Sequence, residues 1–137
     1  MFEITKEVID PAQYLKHVQD PGNGAFVQFL GVVRNVHEGN AVERIFYECY
    51  EKMTLRQMEI IEQEALEKYP MVKLCFVHRV GMVELQEASV LVLTSSKHRK
   101  DSYEVSMFVM QRIKDLLPIW KKEFHPDGKH SWVNIGS

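Results

Sequence analysis

Apolar positions are concentrated in a few short runs. From Ala25 to Val33 every residue but Gln28 is apolar or glycine. Such a run, too short for a helix and with no alternation, predicts a strand buried on both faces. Ala88–Thr94 and Val72–Val77 carry the same signal, and Met1–Lys6 alternates loosely enough to be a first strand. Val42–Tyr50 is rich in β-branched and aromatic residues and reads as a further strand. His78-Arg79-Val80-Gly81 leads into a short strand, and the turn at Asp127-Gly128 precedes a last one near Trp132.

Two stretches have helical periodicity instead. Leu55, Met58, Ile61, Ala65 and Tyr69 recur at that spacing and stop before Pro70, with Thr54 and Gln57 placed as a capping box. Tyr103, Met107, Met110, Lys114 and Leu117 form one stripe of a helix predicted over Arg99–Leu117. Pro118 breaks or restarts that helix, and Lys121 falls on the same stripe if it restarts. Asp10 followed by Pro11 predicts a capped short helix to about Val18. The segment 20–24 reads as a turn and Arg34–Asn40 as a loop. Strands and helices mix without strict alternation, so the expected class is α+β, one domain over 1–137 with a mostly antiparallel or mixed sheet.

Composition narrows this picture in a few places. At 137 residues, 45% hydrophobic and 26% charged, the chain can bury one core and is too apolar for disorder. There is no apolar run of membrane-spanning length, and the first residues do not read as a secretory signal. Cys49 and Cys75 form no C-x-x-C pair, which predicts neither zinc nor thioredoxin-type chemistry and suits reduced thiols in a cytoplasmic protein. No metal or cofactor motif is visible. Charge is split along the chain: residues 1–93 hold nine Lys/Arg against fourteen Asp/Glu, and residues 94–137 eight against five. The C-terminal third is therefore the expected dock for an anion. The excess is too small, and reader motifs too absent, for nucleic acid.

Three places could carry chemistry. Lys114, set between Met110 and Leu117, is either a lysine whose burial lowers its pKa for proton exchange or one whose stem covers apolar surface while its ammonium stays in water. Lys97-His98-Arg99-Lys100 precedes a helix, where backbone N–H groups and basic side chains attract phosphate; it is otherwise a solvated basic turn. Arg34, leaving the buried strand after Gly31-Val32-Val33, can clamp a phosphate or carboxylate or pair with a nearby acid. Elsewhere His78-Arg79 reads as a packed histidine beside an ion-paired arginine, Cys49 as a small core residue, and His125 and His130 as surface residues. Neither cysteine has the electropositive helix-start setting of a persulfide carrier. If this protein moves sulfur, the sulfur arrives on another molecule.

Several segments together resemble one known family, the large, catalytic subunit of molybdopterin synthase (the MoaE family). They are Phe29-Leu30-Gly31-Val32-Val33-Arg34-Asn35, Tyr47-Glu48-Cys49-Tyr50-Glu51-Lys52-Met53, His78-Arg79-Val80-Gly81, Ser95-Ser96-Lys97-His98-Arg99, and Ile113-Lys114 through Pro118-Ile119-Trp120-Lys121-Lys122-Glu123, closed by Gly128 and Trp132. Each is weak alone; in this order and spacing they are specific, and they span Phe26 to about Val133. The resemblance implies an α/β hammerhead-like domain with an added antiparallel β subdomain. It implies a homodimer that binds two small ubiquitin-like sulfur-carrier subunits to make a heterotetramer. The carrier's thiocarboxylated Gly-Gly tail would enter a pocket and deliver sulfur to cyclic pyranopterin monophosphate, forming the dithiolene of molybdopterin. On this likeness Lys114 and Lys121 match the active-site lysines, Arg34, His98 and Arg99 the substrate- and anion-binding residues, and Phe29 and Met110 pocket-lining positions. Leu85-Gln86 stands where many relatives carry a Pro-Gly type turn. A binding module that kept the fold without the chemistry would be free to lose these residues. A different phosphate-handling enzyme would need a P-loop, metal-ligand cluster or nucleophile motif that the sequence lacks.

Overall fold

A computed structural model describes residues 1–134; positions 135–137, the end of the tail, lie outside the described residues. In chain order the strands are β1 (Phe2–Thr5), β2 (Ala25–Val32), β3 (Val36–His37), β4 (Asn40–Ala41), β5 (Arg44–Cys49), β6 (Lys73–Arg79), β7 (Gly81–Glu84), β8 (Ala88–Ser96), β9 (Ile119–Phe124) and β10 (His130–Asn134). Helix α1 spans Glu51–Lys68 and α2 spans Arg99–Leu116.

Two four-stranded sheets organise the chain, in the orders β1-β6-β8-β2 and β10-β9-β5-β7. Pairing is antiparallel throughout except for β1 against β6. This is the mixed α+β class expected from the sequence. All nine residues of β8 are buried, because the strand is covered on both faces. On one side Val90 and Val92 join Met58, Ile61 and Ala65 of α1 and Val105, Val109 and Ile113 of α2. On the other, Leu91 and Leu93 pack with Ile9, Val18 and Cys75. The helix-side core continues through Ile45, Tyr47, Val83 and Ile119, so it also underlies the second sheet.

Four local expectations are corrected. The helix predicted from Asp10 to Val18 is two single 3-10 turns, Pro11–Gln13 and Leu15–His17. Asp10 still caps the first by accepting from the Ala12 N–H at 3.1 Å. Burial of Val18 and the 2.6 Å bond from Tyr14 Oη to Glu3 tie the segment to the sheet, and so short a piece cannot offset helix nucleation. The capping box at Thr54 does not form, because α1 starts at Glu51: the Thr54 N–H already donates to the Tyr50 carbonyl at 2.8 Å. The loop at Arg34–Asn40 contains the small β3–β4 hairpin, turned by Glu38 and Gly39 with φ of 49° and 81°. Finally, β2 is not buried on both faces: it is the edge strand of its sheet, and Phe26 and Val32 are half exposed. Pro118, by contrast, breaks α2 as its position allowed. Leu117, restricted by the following ring, is extended (ψ 126°), and β9 begins at once.

At Leu85-Gln86 the turn survives without glycine. Gln86 takes φ 67°, and its N–H donates to the Val33 carbonyl at 2.9 Å, which holds the tight β7–β8 connection.

Candidate active site

The second sheet, the end of β2 and the C-terminal half of α2 enclose a cavity of about 370 Å³, within the range of small-ligand sites. Three cations reach it from three different elements: Arg34 just beyond β2, Lys114 on the last turn of α2, and Lys121 on β9.

Arg34 is aimed by an irregularity. Pairing of β2 with β8 shifts register between Gly31 and Val32, and such a bulge bends a strand and redirects the side chains after it. Gly31 is required there because a Cβ would lie 2.6 Å from Val90 Cγ1. Lys114 and Met110 are one helical turn apart and line the cavity together. Phe29, half exposed on β2, completes that wall.

Lys121 is placed by the alternation of β9. Ile119 and Glu123, two residues to either side, are buried, and Tyr47 faces Lys121 directly across the β5–β9 ladder. Burial lowers the pKa of Lys121; Glu123 opposes that shift, while Lys114 and Arg34 add to it. The carboxylate of Glu123 is itself held by His37, with Nδ1 3.0 Å from Oε1 and 2.9 Å from Oε2.

Of the two readings of Lys114, the structure fits the exposed ammonium and not the buried one: Lys114 is exposed, and the half-buried lysine, whose pKa burial lowers, is Lys121, which reaches the cavity from a strand. The stripe is not the buried face of α2 either. Val105, Val109 and Ile113 face the sheet, while Tyr103 and Met107 are 58% and 75% exposed.

Phe29, Arg34, Met110, Lys114 and Lys121 thus converge, whereas His98 and Arg99 do not. These two sit exposed at the start of α2. Fifteen residues of helix separate Arg99 from Lys114, about 22 Å along the axis at 1.5 Å per residue. His78 and Arg79 match the reading of a packed histidine beside an ion-paired arginine: Arg79 Nη1 lies 3.1 Å from Glu87 Oε1, and burial pushes the His78 pKa down to about 4. His78 also lines the cavity floor with Tyr47 and Ser89, which sequence reasoning missed. Their signal was the alternation of β5, β6 and β8, which shows which residues share a face but not which faces meet. Cys49 is half-buried at the end of β5 and Cys75 fully buried; both are free thiols. No group of three or more His, Cys, Asp or Glu among the described residues could hold a metal, and no helix among them is long and apolar enough to cross a membrane.

The profile of the MoaE protein family matches residues 4–116. The chain belongs to this family of mixed α+β proteins. It is 40% identical over 131 residues to the molybdopterin synthase catalytic subunit of Dictyostelium discoideum, covering 94% of this chain and 83% of the relative. Among solved structures, molybdopterin synthase from Staphylococcus aureus superposes with a TM-score of 0.91 at 37% identity, covering 96% of both chains. A protein–protein complex of subunits 1 and 2 of molybdopterin-converting factor from Helicobacter pylori also matches, with a TM-score of 0.78 at 26% identity over 99% of this chain and 92% of that one.

Proposed function

We propose that the cavity is the sulfur-transfer site of a molybdopterin synthase catalytic subunit, in molybdenum cofactor biosynthesis. The observation that carries this reading is the convergence of Arg34, Lys114 and Lys121 on one recess, with Lys121 desolvated. Its substrates would be the thiocarboxylated tail of a small carrier subunit and cyclic pyranopterin monophosphate. Both are anionic where they react, and preorganised cations in a partly dry recess stabilise the charge that develops during acyl transfer. The relative from H. pylori, known as a complex of two subunits, supports a small partner.

Within this reading Arg34 pairs with the phosphate, a task its planar fork suits. Lys114, exposed at the rim, holds the terminal acyl oxygen of the carrier. Lys121, whose neutral form burial favours, exchanges a proton with the reacting groups. Phe29 and Met110 form the apolar wall. Sulfur reaches the pterin as its bond to the carrier's acyl carbon breaks, and water supplies the oxygen that leaves a carboxylate on the carrier. Two sulfurs are needed, so a spent carrier must leave and a second bind. A cytoplasmic setting fits two free thiols, and the two sheets fit the hammerhead-like domain with an antiparallel subdomain.

His98 and Arg99 cannot reach the recess of their own chain. We read the protein as a homodimer, bound to two carriers in a heterotetramer, in which these residues serve the recess of the other copy.

The test is reconstitution. Purified protein, thiocarboxylated carrier and cyclic pterin should yield dithiolene product, and Lys114→Ala, folded because the residue is exposed, should lose nearly all of it. Full activity in that variant would remove Lys114 from the mechanism, and no product from the wild type would overturn the reading.

A further inference from the structure

Below the cationic rim the recess changes character. Its floor is made by three buried side chains without formal charge, Tyr47, His78 and Ser89. Ser89 Oγ donates to the Gly31 carbonyl at 3.3 Å. The Tyr47 and His78 rings meet edge to face, centroids 5.4 Å apart.

The tautomer of His78 is fixed. Its Nδ1 lies 2.8 Å from the Arg79 carbonyl oxygen. A carbonyl only accepts, so Nδ1 carries the hydrogen and donates it. Burial keeps the ring neutral, so Nε2 presents a lone pair. No described residue donates to that nitrogen, and it is not sealed from the cavity that the ring lines. A ligand that enters the recess and displaces solvent from this acceptor must supply a donor of its own or leave it unpaired, which is costly.

We propose that His78 is a binding residue whose Nε2 accepts a hydrogen bond from a neutral N–H of the ligand that fills the recess. This rests on the sulfur-transfer reading and adds a subsite to it. Phosphate, carboxylate and thiocarboxylate are acceptors and find no partner at this nitrogen, so they stay at Arg34, Lys114 and Lys121. What passes below them is uncharged and bears N–H. Two ligands offer such a group: the peptide N–H of the carrier's terminal glycine, in the same residue as its anionic end, and the ring or amino N–H of the pterin.

The experiment compares wild type, His78→Phe, which keeps a packed ring without the acceptor, and His78→Gln, whose amide oxygen restores one. Affinities are measured by calorimetry for a carrier ending in an unmodified Gly-Gly carboxylate and, separately, for cyclic pyranopterin monophosphate. His78→Phe should bind one of the two roughly tenfold more weakly, as expected for one lost hydrogen bond left unpaired, and His78→Gln should recover part of the loss. The ligand that weakens is the one that reaches the floor. Unchanged binding of both ligands to His78→Phe overturns this inference alone; a wild type that binds neither overturns the sulfur-transfer reading and this inference with it. Should the phenylalanine variant not fold, 15N spectra of wild-type histidine decide: the His78 Nε2 resonance moves when the ligand saturates, and a resonance that stays still overturns the proposal.

Discussion

At the scale of single residues, environment rather than residue type separates the two lysines. Lys114 and Lys121 are the same chemical group, but the strand pattern of β9 puts one between the buried Ile119 and Glu123 while the helix leaves the other in water. Removing a neighbouring cation should raise the pKa of Lys121, because Arg34 now holds it down. If Lys121 acts as a base, the acidic limb of the pH–rate profile should therefore move to higher pH in Arg34→Ala; a limb that stays in place would exclude Lys121 as the titrating group. His78 makes a second prediction. It stays neutral in the folded protein until the pH falls to about 4, while in the unfolded chain it takes up a proton near 6.5. On acidification the unfolded form gains its proton first, so stability is lost between those two values, by about 3 kcal/mol from this residue. Glu87, whose pKa is lowered by hydrogen bonds from the Glu84 N–H and from Arg79, adds to the loss only from about 4.5 downward. Urea titrations at pH 7, 5.5 and 4.5 should show the slope in wild type and a shallower one in His78→Phe.

At the scale of elements, the site depends on how β2 departs from regular pairing. The bulge after Gly31 turns Arg34 toward the cavity, and Gly31 is there because Val90 leaves no room for a methyl group. Gly31→Ala should cost about 1–3 kcal/mol from overpacking, read as a lower urea midpoint, and should weaken substrate binding as the bulge shifts. Adding Val90→Ala should restore part of both, although the second change is itself a core truncation. If the double variant is no better than the additive sum, the contact is not the cause. The existence of β2, β5, β6, β8, α1 and α2 was legible because each carries a long apolar or periodic run. The end of α2 was legible too, from Pro118. The 3-10 turns, the β3–β4 hairpin and strand β9 were not: the turns follow from tertiary ties such as Tyr14 to Glu3, and β9 is held by its pairing with β5 and β10, which no local pattern encodes.

At the scale of the molecule, the separation of Arg99 from Lys114 becomes a question of assembly. Individual motifs pointed to Arg34, Lys114, His98 and Arg99, but a linear reading could not say that only the first two share a recess. If the homodimer supplies His98 and Arg99 to the opposite copy, mixing Lys114→Ala chains with Arg99→Ala chains should recover activity that neither has alone. Each mixed dimer would hold one site with both residues intact. Continued inactivity after subunit exchange, verified by mass spectrometry, would exclude supply across the dimer.

The descent from a charged rim to an uncharged floor also sets a rule for chemical probes of this cavity. A compound that is anionic at both ends would leave His78 without a donor, and a wholly neutral one would make no charge-assisted contact with Arg34 or Lys114. The most selective small inhibitors should be unsymmetrical, with an acid at one end and an amide or amino heterocycle at the other.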